Sequence, residues 1–297
     1  MNLRNWLKEE VPRNAWQAQC GRYYRGVSRA FQSPMTLIGT AFILLMILGA
    51  LLAPWIAQVD PNAQDLSSRL QAGSAQHWLG TDQLGRDLWS RLVYGTRATL
   101  VIVFLVAMLS APIGLAVGIS AGYFGGPFEA LLMRLTDVFM ALPRLVLALM
   151  FVAVLGPGLM NAVFAITVTA WAPYARLART ETLAIRRSDF LHAAKVAGFS
   201  TPCILFGQVL PLCIPSTVIR LTLDMAGVIL TAAGLGFLGL GAQPPLAEWG
   251  AMVAGGRSYV FDQWWVAAVP GAAILFASLA FNLLGDGLRD VLDPKDG

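Results

Sequence analysis

Apolar residues in this chain come in long unbroken runs rather than alternating with polar ones. Six stretches, near residues 35–57, 98–121, 132–155, 159–181, 208–238 and 264–285, are long and carry few charges. A helix rises about 1.5 Å per residue, so about 20 residues cross a hydrocarbon core of about 30 Å. Backbone amides find no water in lipid, and continuous apolar runs of this length must therefore satisfy themselves as helices. The pattern predicts an all-α integral membrane protein with six transmembrane helices. The run 208–238 is long for one span. Pro211 and Pro215 near its start and glycines near its end predict a kink or an extension past the membrane. The run 132–155 is the weakest, because Arg134, Asp137, Pro143 and Arg144 fall in or beside it. The first run is longer than a secretory h-region and follows about thirty mostly polar residues, so it reads as a retained anchor.

The polar segments between the runs set the orientation. Arg4, Lys8, Arg13, Arg22, Arg25 and Arg29 precede the first run, and Arg176, Arg179, Arg186, Arg187 and Lys195 lie between the fourth and fifth. Basic residues in short segments favour the cytoplasmic side, which places both segments and, with six spans, both termini there. Segments near 58–97 and 239–263 then face outward. Trp55, Trp78, Trp89, Trp249, Trp264 and Trp265 fall at or beyond that outer boundary, where indole rings favour the headgroup zone. The expected division is a cytoplasmic segment 1–34 followed by the membrane domain 35–297. Trp6, Trp16, Tyr23 and Tyr24 allow the N-terminal segment to lie on the inner leaflet as an amphipathic helix or to hang as a tail.

Composition agrees with lipid as the main solvent. Hydrophobic residues make up 57% of the 297 and charged ones 13%, about half the share of an ordinary soluble domain; the mean hydropathy is +0.63. The net charge of +4 is scattered, without the dense Lys/Arg tract that nucleic acid would require. Cys20, Cys203 and Cys213 are odd in number and widely spaced, which indicates neither a disulfide framework nor a metal site. His77 and His192 form no zinc or nucleophile constellation with them. Each of the three lysines, Lys8, Lys195 and Lys295, lacks a preceding glycine, so no phosphate loop is present. The expectation is a chain without enzymatic activity, cofactor or metal of its own.

Glycines invite a different reading. Gly234, Gly236 and Gly239 match GxGxxG but end an apolar run, with no strand before them, so they predict close helix packing and a flexible end rather than a dinucleotide. Gly114, Gly118 and Gly122 recur every four residues and predict a packing seam. Arg220 and Asp224 fall near the middle of the fifth run, one turn apart. Two readings stay open: charges lining a passage, able to meet the carboxylate and ammonium of a zwitterion, or a self-neutralising i, i+4 pair.

The polar stretch HAAKVAGFSTPCILFGQVLP, from His192 to Pro211, resembles the EAA loop of ABC importer permeases. HWLGTDQLGRDLWSRLVYG (77–95), LGFLGLGAQPPLAEWGAMV (235–253) and NLLGDGLRDVLDP (282–294) are similar to the C-type subunit of the dipeptide, oligopeptide and nickel branch. The resemblance implies a type I ABC importer permease fold in a bacterial inner membrane, importing dipeptides or similar small peptides. It also implies two short helices within about residues 183–207 that fit a groove on a cytoplasmic ATPase, with His192, Ala193, Ala194 and Gly198 at the contact. His192 stands where Glu is usual and Gln208 where Ile is usual, which bears on the ion pair with the ATPase. The implied partners are a second, homologous permease in a heterodimer, two ATPase subunits holding ATP and magnesium, and an extracytoplasmic solute-binding protein met by Asp82, Arg86, Asp87 and Trp249. The rivals are a nickel-chelate or glutathione importer and, in another class, an ATP-independent secondary transporter.

Overall fold

The computed structural model describes residues 33–292, all of whose regular elements are helical. The N-terminal segment 1–32, with its tryptophans, tyrosines and Cys20, and the residues after 292 lie outside the described residues. Helix α1 (Pro34–Leu51) leads through the short α2 (Ala53–Ile56) to a long loop, and α3 (Leu88–Phe124) follows. Next come α4 (Gly126–Ala141), α5 (Arg144–Leu155) and α6 (Leu159–Arg186), then the short α7 (Asp189–Val196) and α8 (Thr201–Ile204). A π-turn over Leu205–Val209 continues into α9 (Leu210–Phe237), and α10 (Trp249–Gly256) and α11 (Trp265–Leu292) complete the order.

Four helices among the described residues are long and apolar enough to cross a membrane, and the α4–α5 pair, bent by 93°, makes five if read as one broken span. The count of six is therefore not reached by length and apolarity alone. Helix α6 is the one that falls short. It is 28 residues long, but its second half carries Arg176, Arg179, Glu181 and Arg186. The 132–155 run is broken because Pro143 disfavours helical backbone at Leu142, whose ψ is 145°.

Helix α3 begins ten residues before its apolar run. Asp87 caps it, its Oδ2 accepting from the Ser90 amide at 2.7 Å. Two arginines inside the early turns are paired with backbone oxygens: Arg91 Nη1 donates to Pro61 O at 3.0 Å and Arg97 Nε to Ala50 O at 2.6 Å. The Gly114–Gly118–Gly122 seam is the contact with α6. A β-carbon on Gly118 would stand 2.2 Å from Ala175 O, and one on Gly114 2.4 Å from Tyr174 Cβ. The main core lies between α3, α5, α6, α9 and α11 and includes Val106, Val152, Ile166, Val228 and Ala277.

Candidate coupling loop and transmembrane polar cluster

Helix α7 is short because its sequence stops it. Asp189 in the first turn and Lys195 in the last favour the helix dipole. After Ala197 the chain turns at Gly198 with φ +82°, donating Gly198 N to Lys195 O at 3.0 Å and Phe199 N to Ala194 O at 3.2 Å. That is a Schellman closure, in which the left-handed residue is usually glycine. Gly239 closes α9 in the same way, with φ +77° and Leu240 N on Leu235 O at 2.9 Å.

The inner side of this loop is anchored. Leu191 and Ala194 are buried, and Leu191 packs with Ile119, Ala178, Ile204, Val209 and Cys213, so α7 rests on the ends of α3, α6 and α9. Lys195 Nζ lies 5.1 Å from the centre of the Tyr123 ring. The outer side is bare: His192, Ala193 and Gly198 are exposed, and so are the apolar Phe190, Val196, Phe199 and Phe206. Val196 is 90% exposed. Of the four loop residues singled out from sequence, Ala194 alone faces inward.

Arg220 and Asp224 are not a pair. Asp224 Oδ1 accepts from Arg144 Nη2 at 2.8 Å and Oδ2 from the Tyr174 hydroxyl at 3.1 Å, so the carboxylate joins α9 to α5 and α6. Tyr174 is fully buried. Neither partner is marked by its spacing in the sequence, since they lie 80 and 50 residues away along the chain. Arg144 stood out in the sequence only as a charge interrupting a span.

At the other end of α3, the segment Thr81–Asp87 folds back on itself, with Thr81 and Asp87 bridged. Asp82 fills the turn. Its Oδ1 accepts from the amides of Leu84 (2.8 Å) and Arg86 (3.0 Å), and its Oδ2 from Arg86 Nε (2.7 Å). Asp87 caps α3 and meets His77 Nδ1 at 3.0 Å. Trp249 is buried, its indole donating to Leu92 O at 3.0 Å. Three of the four residues assigned from sequence to a binding-protein contact, Asp82, Asp87 and Trp249, are thus buried and shape this end of α3 from within, and Arg86 is partly open. Beside them Glu248, also buried, caps α10 by accepting from Gly250 N and Ala251 N, both at 2.8 Å. Burial raises its carboxyl above the ordinary value, and those two amide bonds oppose the rise.

Helices of this length and apolarity define a membrane protein, with a loop of two short helices anchored at one end of α3 and a polar cap at the other. Comparison makes this specific. A family model described as the binding-protein-dependent transport system inner membrane component matches residues 114–295, and one for the N-terminal TM domain of oligopeptide transport permease C matches residues 25–72. The chain is 46% identical over 265 residues to the probable D,D-dipeptide transport system permease protein DdpC of Escherichia coli (strain K12), covering 89% of each chain. It is 45% identical over 263 residues to the di/tripeptide transport system permease protein DppC of Pseudomonas aeruginosa (strain UCBPP-PA14), covering 86% of this chain and 87% of that one. The nickel transport system permease protein NikC of Escherichia coli (strain K12) is 42% identical over 252 residues, covering 85% and 91% respectively. A chain from inward-facing MetNI, a methionine ABC transporter, shares the fold at a TM-score of 0.56 and 22% identity, over 69% of this chain and 97% of its own. The chain belongs to the family of inner-membrane components of binding-protein-dependent transport systems.

Proposed function

We propose that this chain is a permease subunit of an ATP-driven importer for dipeptides or similar small peptides, in the inner membrane with both termini cytoplasmic. It pairs with a second, homologous permease and takes its work from two ATPase subunits that bind ATP and magnesium. A solute-binding protein delivers cargo at the outer end. Residues 35–297 form the membrane domain, and the loop near 183–207 is the coupling element, with His192, Ala193 and Gly198 on the surface that meets the ATPase and Ala194 holding it to the bundle. The α9 face bearing Arg220 and Asp224 belongs to the passage. Asp82, Arg86, Asp87 and Trp249 hold the shape of the surface on which the binding protein docks.

One observation carries this reading: a short helix seated through Leu191 on α3, α6 and α9, with the apolar Phe190 and Val196 bare on its other side and Phe199 bare just beyond its end. Such a surface is costly in water unless a partner covers it, and its rigid seat transmits force to the spanning helices. The test is uptake by liposomes holding this chain, its second permease and the ATPases, with binding protein outside and ATP inside. Labelled dipeptide should accumulate only with ATP, and this chain alone should move nothing. Uptake of nickel or glutathione in place of dipeptide would replace the cargo, and unaided flux through the chain alone would replace the machine with a secondary transporter.

A further inference from the structure

Helix α9 carries two ionisable side chains within its apolar span, and they are treated differently. Asp224 has both oxygens engaged, by Arg144 and by Tyr174, and its side chain is only 8% exposed. Arg220, one turn earlier, is exposed, and among the described residues it meets no carboxylate within 4.0 Å and no hydrogen-bond acceptor. Of the two ionisable side chains on this face of α9, the unmatched one is the accessible one.

A bare guanidinium at this depth is costly against lipid, so this face of α9 borders water or protein. Its planar fork offers paired donors matched to a carboxylate. Gly227, one turn beyond Asp224 on the same face, has no side chain of its own, and the nearest atom a β-carbon there would meet is Arg144 Nη1, at 3.4 Å. We propose that Arg220 is the site within the passage that holds the solute's carboxylate, and that Asp224, locked by Arg144 and Tyr174, does not receive the solute's ammonium. This rests on the peptide-permease reading above and sharpens it: the membrane step reads the C-terminal end of a peptide and ignores the N-terminal end.

The complete complex in liposomes tests this with three solutes: Ala-Ala, its C-terminal amide and its N-acetyl form. Each is supplied at a concentration shown by calorimetry to saturate the binding protein. The wild-type complex should import Ala-Ala about tenfold faster than the amide, the worth of one charge-assisted hydrogen-bonded contact, and at a rate similar to the N-acetyl form. Arg220→Gln should bring the Ala-Ala to amide ratio to about one, and Arg220→Lys should restore most of it. A ratio that Arg220→Gln leaves untouched overturns the proposal. So does an equal fall for all three solutes with loss of the second permease on size exclusion, because Arg220 then pairs with that subunit. A wild-type preference for Ala-Ala over the N-acetyl form overturns the role given to Asp224. A wild-type complex that imports none of the three with ATP present overturns the peptide reading itself, and this proposal with it.

Discussion

Gly198 and Glu248 show how single positions fix the two ends of the molecule. At Gly198 an ordinary side chain in the left-handed region costs about 1–2 kcal/mol, and space is not the obstacle, since a β-carbon there would meet nothing within 4 Å. Gly198→Val should therefore lower the ATPase rate stimulated by loaded binding protein several-fold in the purified complex, and Gly198→Asn, which tolerates that conformation, should lower it less. Glu248 gives a pH dependence. Its folded pKa lies above the ordinary 4.5 because burial disfavours the charge. The native state then holds the proton more tightly than the unfolded chain, so the stabilisation is complete below 4.5 and is lost as pH rises through the folded value. Thermal unfolding of Glu248→Gln should lack this slope, and Glu248→Ala should cost about 1 kcal/mol or more at every pH by orphaning two amides. The sequence marks Gly198 through the spacing of its motif. It does not mark the partners of Asp224, because the helical rule of one-turn neighbours points to Arg220, whereas packing brings in Arg144 from beyond a chain reversal.

At the scale of elements, the α3–α6 seam and the Arg144–Asp224–Tyr174 bridge decide whether the bundle holds. Gly118→Leu forces the two helices apart, and overpacking of this kind costs about 1–3 kcal/mol. A lower melting temperature in detergent, with a smaller loss for Gly118→Ala, is the expected result. Asp224→Asn leaves Arg144 without its counter-charge; breaking such a pair costs about 3–5 kcal/mol. Arg144→Gln combined with Asp224→Asn should recover part of that loss in a double-mutant cycle. Spans were legible where apolar residues alone decide them, as in α1 and α11. They were not where charge is answered by distant backbone: α3 starts at Leu88 because Arg91 and Arg97 find the oxygens of Pro61 and Ala50. The bend between α4 and α5 was signalled by Pro143, but its size depends on packing that the sequence does not display.

Across the whole molecule, α3 links the two functional ends. The loop capped by Asp82 and Asp87 lies at its start and the loop bearing α7 at its end, about 50 Å apart at 1.5 Å per residue. Leu191 of α7 packs with Ile119 of α3, Ala178 of α6 and Cys213 of α9, so on the proposed function a shift of α7 would reach these three helices directly. The tryptophans near the start of α3 and in the segments around α10 divide between surface and core. Trp55, Trp78 and Trp264 are exposed, whereas Trp249 is buried and donates to Leu92 O. The most direct test of the account places a photo-crosslinking residue at Ala193 in the complete complex. Illumination should join this chain to the ATPase and stop ATP-driven dipeptide uptake. An ATPase never captured from that position, while uptake continues without it, would contradict the account.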